Sequence, residues 1–215
     1  CSEDYNNGND IILVLSARGN ETDKLIKEMK EINEGVDERE LDMLLATGEQ
    51  KSVSVMASAF RKNGIPAISL NAFQVPIYTD SNYGNAKILD IGKKRIQKEL
   101  SEKKIVIVTG FQGIDKNYNL TTLGRGGSDT TAVALAAKFN ADKCEIYKDV
   151  DGVYNNDPKI DIYAKKFDRL EFDEMLELSN SGAKILQNKS IEIAKKYYVP
   201  IFIKSIFTNR VGTLI

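Results

Sequence analysis

Short, uninterrupted apolar runs alternate along the chain with longer stretches in which apolar residues recur every three or four positions. Uninterrupted runs are typical of strands buried on both faces, and the longer period is typical of helices. The pattern predicts strands at 11–15, 105–108, 144–147 and 201–203. It predicts helices near 22–32, 40–62, 92–101, 128–140 and 184–198. This alternation predicts an α/β fold, with a mainly parallel central sheet and helices on both faces as a three-layer sandwich.

The chain of 215 residues is long enough to bury a full core. It contains no internal repeat, low-complexity tract or linker, so we expect a single domain over 1–215. Residues 83–85 and 117–119 have the composition of turn tips.

Charge and apolar content exclude several partners. Lys and Arg together number 30 against 31 Asp and Glu, a net charge of −1. Such a balance predicts binding neither to nucleic acid nor to an anionic membrane surface. No apolar run approaches the ~20 residues needed to span a bilayer. The two cysteines, Cys1 and Cys144, form no paired motif, which favours a reducing cytoplasm.

Histidine is absent from the sequence. This absence excludes a Ser-His-Asp triad, a Cys-His pair, a histidine-ligated zinc and an imidazole pH switch.

The helix predicted over 40–62 carries one acidic residue of interest. Thr47 and Gln50 fit a capping box, with Thr47 as the N-cap. Glu49 lies one turn before the first residue of an apolar stripe, on or beside the buried face. Its carboxylate either faces a ligand or complements the helix dipole, and spacing leaves both readings open. The stripe consists of Val53, Met56, Ala57 and Phe60.

A glycine-rich loop at 123–127 runs into an apolar helix. Its glycines allow close approach to a ligand, and the free N–H groups of the helix start suit an anion. Arg125 adds a two-pronged donor for a carboxylate or phosphate. Ser128 or Asp129 is the expected N-cap. A tight turn with an ordinary cap explains the glycines and Ser128, but not the pairing of Arg125 with Asp129. The dinucleotide fingerprint is excluded because Asp129 stands where its third glycine would be.

Two later segments give weaker signals. After the strand at 144–147, Asp149 and Asp151 are candidates to face a magnesium–nucleotide, and Tyr154 to line a base pocket. Asp-Gly and Asp-Pro are also ordinary turn formers, so this alternative stays open. Lys184 begins a predicted helix, where a cation is unfavourable unless an anion binds nearby. A solvated surface lysine is the alternative.

Taken together, these segments resemble the aspartate kinases of the amino-acid kinase superfamily, and the resemblance runs from 13–17 to 212–215. The run T-T-L-G-R-G-G-S-D-T-T at 121–131 is the most specific part. Acetylglutamate, uridylate and glutamate kinases carry different residues there. The other matching segments are 41–50, 108–113, 148–158 and 182–184.

The resemblance implies ATP-dependent phosphorylation of the L-aspartate side-chain carboxylate to 4-phospho-L-aspartate, the entry to lysine, threonine and methionine synthesis. The implied partners are L-aspartate, ATP and Mg²⁺. Arg125, Asp129 and Lys184 are the implied catalytic residues. The implied aspartate-binding residues are Thr22, Glu49, Arg125, Ser128 and Asp129. The implied nucleotide-binding residues are Lys148, Asp149, Tyr154, Lys159, Lys184 and Ile185.

The chain departs from the pattern of these kinases in several places. They usually have Thr where Lys148 stands and Arg where Lys159 stands. Their initial Lys-Phe-Gly-Gly strand and their C-terminal ACT domains have no counterpart here, so we expect a catalytic-domain fragment with poor activity by itself. Homo-oligomers and feedback control are expectations for the parent protein.

Two other functions stay open at this point. One is a non-catalytic subunit that binds aspartate or nucleotide, and the other is a related kinase with a different substrate.

Overall fold

The computed structural model describes residues 1–156, 158, 160–182, 185–208 and 210–215. The helices are Ser2–Asn6 (α1), Glu21–Ile32 (α2), Glu38–Lys62 (α3), Lys94–Ser101 (α4), Gly127–Phe139 (α5), Phe172–Asn180 (α6) and Asn188–Tyr197 (α7). The strands are Ile12–Leu15 (β1), Ala67–Leu70 (β2), Ile77–Thr79 (β3), Ile88–Ile91 (β4), Ile105–Thr109 (β5), Gln112–Ile114 (β6), Leu120–Thr122 (β7), Cys144–Lys148 (β8), Ile201–Ser205 (β9) and Thr213–Leu214 (β10). The predicted α/β class with a helix-flanked parallel sheet is confirmed.

The chain forms two compact units, Cys1–Ala132 and Val133–Ile215. The first contains a fully parallel sheet in the order β1-β5-β2. Helix α3 covers this sheet with the predicted apolar stripe, and Val53 and Phe60 pack with Ile105 and Ile107 of β5. All five residues of β5 are buried, as expected of the central strand of a covered sheet.

Helix α3 begins well before the predicted capping box. Asp37 is its N-cap, and the Asp37 side chain accepts hydrogen bonds from the backbone N–H groups of Arg39 and Glu40. The prediction of Thr47 as the N-cap, with Gln50 completing a capping box, is therefore wrong. Thr47 lies inside the helix, where its hydroxyl donates to the Leu44 carbonyl at 2.7 Å. Because Asp37 satisfies the free N–H groups of the helix start, no second cap is needed.

A second sheet of the first unit has the order β4-β3-β6-β7. Its β3–β4 and β6–β7 pairs are antiparallel, whereas β3 and β6 run parallel. The apolar pattern did not predict these strands because none is an uninterrupted apolar run, each containing at least one polar residue or glycine.

Helix α5 begins at Gly127, so Ser128 and Asp129 lie inside its first turn. Because the N-cap precedes the first helical residue, the prediction that one of them is the N-cap is wrong by two or three positions. In the helix itself, Val133 and Leu135 are fully buried, which agrees with its apolar sequence.

In the second unit, β8 and β9 pair in parallel, and β10 adds to β9 in the antiparallel direction. The helix predicted at 184–198 begins at Asn188 among the described residues. Helix α6 was not predicted. Its N-cap is Glu171, whose backbone N–H donates to the Glu174 side chain at 2.7 Å, but Glu is not among the residues that mark a capping box in a sequence. Wherever the chain is described, its helices fall short of the length and hydropathy that a membrane span requires.

Candidate active site

The carboxyl edge of the β1-β5-β2 sheet carries a buried acidic side chain. Glu49 is only 3% exposed, and its Oε1 atom accepts a hydrogen bond of 2.8 Å from the backbone N–H of Ala17, just after β1. The adjacent Gly48 makes this approach possible, since a Cβ there would lie 2.9 Å from the Ala17 Cβ. The loop after β1 therefore holds Glu49 in place.

The environment of Glu49 is unfavourable for its charge. Burial raises the pKa of its carboxyl to about 7, although the Ala17 hydrogen bond acts in the opposite direction. The Oε2 atom is buried without a hydrogen-bond partner among the residues that the structure describes. Glu49 also lies in the interior of α3, so the helix-dipole reading, which needs an acid in the first turn, is excluded. A buried, unsatisfied carboxylate oxygen calls for a cationic or donor ligand.

The loop after β5 brings the start of α5 to the same edge of the sheet. The Gly110 N–H donates to the carbonyl of Leu15, the last residue of β1, at 3.0 Å. A Cβ on Gly110 would lie 2.6 Å from the Ser128 Oγ atom. Beside it, the Phe111 N–H donates to the Thr131 hydroxyl at 3.2 Å. Ser128, with Asp129 next to it in the helix, therefore lies near the strand end from which the Ala17 loop leaves.

Arg125 lies between two glycines with left-handed backbone conformation. The φ angles are +78° at Gly124 and +70° at Gly126, values that favour glycine. The turn closes with a 3.0 Å hydrogen bond from the Gly127 N–H to the Gly124 carbonyl. Arg125 is exposed, and the described residues make neither a hydrogen bond nor an ion pair to its guanidinium. This cation is available for an anionic ligand.

Thr22 lies half-buried in the first turn of α2. Its neighbour Glu21 pairs with Lys51 of α3 at 2.8 Å, which brings this turn beside the segment that carries Glu49. A cavity of about 240 Å³ opens at this contact. It is lined by Arg18, Gly19, Glu21, Gly48, Lys51 and Ser52.

The predicted nucleotide residues belong to the second unit. Lys148 is the last residue of β8, Asp149 follows it at the surface, and Ile185 is half-buried. The Tyr154 hydroxyl donates to Asp151 Oδ1 at 2.7 Å, and this hydrogen bond raises the Tyr154 pKa.

The remaining predictions for the nucleotide site concern Asp151, Lys159 and Lys184. Asp151 also faces the Arg210 guanidinium at 3.7 Å, so its carboxylate is already engaged within the protein. Lys159 and Lys184 lie outside the described residues, and their roles stay predictions.

Two buried polar residues of the first unit received no role from the sequence. Thr109 ends β5 fully buried, and its hydroxyl has no partner among the described residues. Asp42 is 1% exposed on α3. A signal for Asp42 existed, because it lies two helical turns before Glu49 and hence on the same face.

Comparison with known proteins identifies the family. The sequence profile described as "Amino acid kinase family" matches residues 1–205. The chain belongs to the amino acid kinase family.

Two curated members of the amino acid kinase family have closely similar sequences. The aspartokinase of Bacillus sp. (strain MGA3) is 48% identical over 213 residues, covering 99% of this chain and 52% of that protein. The aspartate kinase Ask_LysC of Stutzerimonas stutzeri is 48% identical over 208 residues, covering 97% and 50%. The chain thus spans about half the length of these relatives.

Solved structures of the amino acid kinase family share the fold. The aspartate kinase from Synechocystis has a TM-score of 0.88 at 39% identity, covering 100% of this chain and 35% of that one. Escherichia coli aspartokinase III, solved in complex with aspartate and ADP, has a TM-score of 0.79 at 29% identity, covering 92% and 47%.

Proposed function

We propose that this chain transfers the γ-phosphoryl group of ATP to the side-chain carboxylate of L-aspartate, giving 4-phospho-L-aspartate. The named relatives are aspartokinases, and one solved relative holds aspartate and ADP. The observation that carries the proposal is the unpartnered Glu49 Oε2 atom, held at the sheet edge that Ser128 also approaches. Residues 1–215 would act as the kinase catalytic domain, at the first step toward lysine, threonine and methionine.

The acceptor would be recognised through its two charges. An aspartate ammonium group near Glu49 and Asp129 supplies the donor that Glu49 Oε2 lacks and offsets the cost of burying its charge. The Arg125 guanidinium suits the α-carboxylate, since its paired donors match carboxylate geometry. Thr22 and Ser128 would add hydrogen bonds to the substrate. A ligand with only one sign of charge would leave one of these groups unpaired.

The chemistry requires no general base. The side-chain carboxylate of aspartate, with an ordinary pKa near ~4, is ionised at neutral pH. Its oxygen attacks the γ-phosphorus, the new O–P bond forms, and the bond to the β-phosphate oxygen breaks to release ADP. Catalysis then rests on alignment and on cations that neutralise the phosphoryl oxygens, a role proposed for Lys184. A chain without histidine can perform this reaction.

ATP would contact Lys148, Asp149, Tyr154, Lys159, Lys184 and Ile185. Asp149 follows the carboxyl end of a parallel strand, where open α/β sheets bind ligands. Mg²⁺ would enter with the nucleotide, because it is commonly held by phosphates, water and one or two carboxylates. Asp149, which directly follows the carboxyl end of β8, is the carboxylate proposed to assist. When bound, Mg²⁺ supplies charge neutralisation on the phosphates.

The proposal is tested with the protein expressed from its complete reading frame. ADP release is followed with MgATP and, separately, L-aspartate, L-glutamate, N-acetylglutamate and uridylate. Turnover with L-aspartate at least about a hundredfold above N-acetylglutamate and uridylate is expected, because neither carries a free ammonium group for the buried Glu49 carboxylate. L-Glutamate has the same charges and one extra methylene, so its turnover is expected to be lower by about tenfold or more. Turnover preferring another acceptor would contradict the proposal. Binding of aspartate without any turnover would instead favour a non-catalytic subunit.

A further inference from the structure

Asp42 uses both carboxylate oxygens to hold two separate segments of chain. Its Oδ2 atom accepts hydrogen bonds from the backbone N–H groups of Gly84 at 2.9 Å and Thr122 at 2.7 Å. Its Oδ1 atom accepts from the Thr122 hydroxyl at 2.6 Å. A carboxylate buried to 1% exposure thus links α3, the 83–85 turn and the end of β7.

Both anchored segments border the Arg125 turn. Thr122 is followed directly by Leu123, whose N–H donates to the Phe111 carbonyl at 2.8 Å. Gly124 lies against the 83–85 turn, since a Cβ there would be 3.1 Å from both the Gly84 carbonyl oxygen and the Asn85 Oδ1 atom. The backbone entering Arg125 is therefore supported by the two segments that Asp42 joins.

We infer that Asp42 is a positioning residue that fixes the Arg125 turn for recognition of the substrate carboxylate. The inference rests on the proposed function, because it assigns Arg125 to that carboxylate. Asp42 acts through its hydrogen bonds to Thr122 and Gly84. Arg125 is exposed on a turn with two left-handed glycines, so its placement depends on how firmly the preceding residues are held.

Two substitutions at Asp42 separate hydrogen bonding from charge. Asp42→Ala removes all three hydrogen bonds and leaves the buried backbone N–H group of Thr122 without its carboxylate partner. The Gly84 N–H group also loses its tie to α3, although Gly84 itself is exposed. In Asp42→Asn, the amide oxygen can accept both backbone hydrogen bonds, from Gly84 and from Thr122. The NH₂ group can donate to the Thr122 hydroxyl oxygen. We therefore expect the Arg125 turn to be held nearly as firmly in Asp42→Asn as in the wild type, and less firmly in Asp42→Ala.

The first readout is limited digestion with trypsin, which cleaves after an accessible Arg125. In Asp42→Ala, cleavage after Arg125 should be faster than in the wild type by roughly tenfold or more, since local opening becomes easier. Asp42→Asn should stay within about threefold of the wild type. The matched control is Glu99→Ala, because Glu99 is also a buried, hydrogen-bonded carboxylate of this unit but contacts Arg95 and Lys104. Equal cleavage in Asp42→Ala and the wild type overturns the inference, whatever the enzymatic activity.

The second readout is steady-state kinetics in the full-length protein. Asp42→Ala should raise KM for aspartate by roughly tenfold with KM for MgATP within about twofold, and the effect should vanish in an Arg125→Ala background. The inference is overturned if Asp42→Ala changes both KM values equally. It is also overturned if Asp42→Ala raises KM for aspartate as much in the Arg125→Ala background as in the wild type. If the wild type fails to phosphorylate aspartate while cleavage after Arg125 still responds to Asp42→Ala, the proposed function fails but the positioning of the turn stands.

Discussion

Glu49 and Ala17 are joined by a hydrogen bond that satisfies only half of a buried carboxylate. The Ala17 N–H donates to Oε1 at 2.8 Å, whereas Oε2 is buried without a partner among the described residues. An arrangement of this kind costs stability in the free protein. A substrate ammonium group that binds Oε2 would remove this cost, which favours binding. Because the charge of Glu49 depends on pH, both the stability of the protein and its affinity for aspartate should depend on pH.

The first prediction concerns folding stability. Because burial raises the folded-state pKa of Glu49 from 4.5 to about 7, its favourable contribution is full below about pH 4.5 and is lost as pH rises through 7. Glu49→Gln keeps an acceptor for Ala17 but carries no charge. It should stabilise the protein by on the order of 1–3 kcal/mol near pH 8 and hardly at all near pH 5. Urea unfolding at both pH values measures this difference. Equal effects at the two pH values would refute it.

The second prediction concerns aspartate binding. Because the ionised form of Glu49 accepts the substrate ammonium, KM for aspartate should fall by up to about tenfold between pH 6 and pH 8 as the carboxyl with a pKa of about 7 ionises. The dependence should disappear in Glu49→Gln, with KM for MgATP following no such trend. Initial rates across this range provide the measurement. A wild-type KM for aspartate that is flat across it would count against the role of Glu49.

The third prediction uses the tight contact between Gly110 and Ser128. Gly110→Ala places a methyl group where it meets the Ser128 Oγ atom at 2.6 Å, so the start of α5 must shift. We expect kcat/KM for aspartate to fall by roughly tenfold or more, because displacements of this size disturb substrate alignment. The matched control is Gly35→Ala, where the nearest atom, Asn33 Oδ1, lies at an ordinary 3.6 Å. Equal kinetics for the two variants would contradict the prediction.

The fourth prediction concerns Asp115, which is 1% exposed beside the β6–β7 turn. Burial alone would raise its pKa, but hydrogen bonds from Asn119, Asn117 and Tyr83 lower it to about 2. Its stabilising contribution is therefore present above the unfolded pKa of about 3.8 and is lost as pH falls through 2.

Asp115→Asn should accordingly destabilise the protein by on the order of 1–2 kcal/mol at neutral pH. The difference from the wild type should narrow as pH falls below about 4. Urea unfolding from pH 7 down to about pH 3 checks this. A difference that stays constant over the range would mean that the charge of Asp115 contributes nothing.

The sequence predicted those parts of the fold that show long periodicity or uninterrupted apolar runs. Helix α3 and strand β5 carry such patterns, so Glu49 was correctly expected on a buried face. The strands β3, β4, β6 and β7 contain polar residues or glycine instead of an uninterrupted apolar run, so they form only in the context of the sheet in which they pair. The prediction of an N-cap at Thr47 was wrong because the helix begins ten residues earlier, with Asp37 as its N-cap.

Site residues within one continuous motif could be predicted from the sequence, whereas those that the fold brings together could not. Arg125 and Asp129 belong to a motif that is readable in one stretch of chain. Asp42 functions through Thr122 and Gly84, and only the fold brings these residues together. The unpartnered hydroxyl of Thr109 likewise depends on a burial that sequence spacing does not report.

Aspartate binding by Arg125→Ala tests the central claim most directly, because the claim is that one guanidinium holds the substrate α-carboxylate. Calorimetric titration of the full-length protein measures the affinity for L-aspartate and, separately, for MgATP. We expect Arg125→Ala to weaken aspartate binding by roughly thirtyfold or more, the loss typical of a charge-assisted bidentate pair, with MgATP affinity within about threefold of the wild type. Equal weakening of both ligands, or aspartate binding unchanged, would contradict the account.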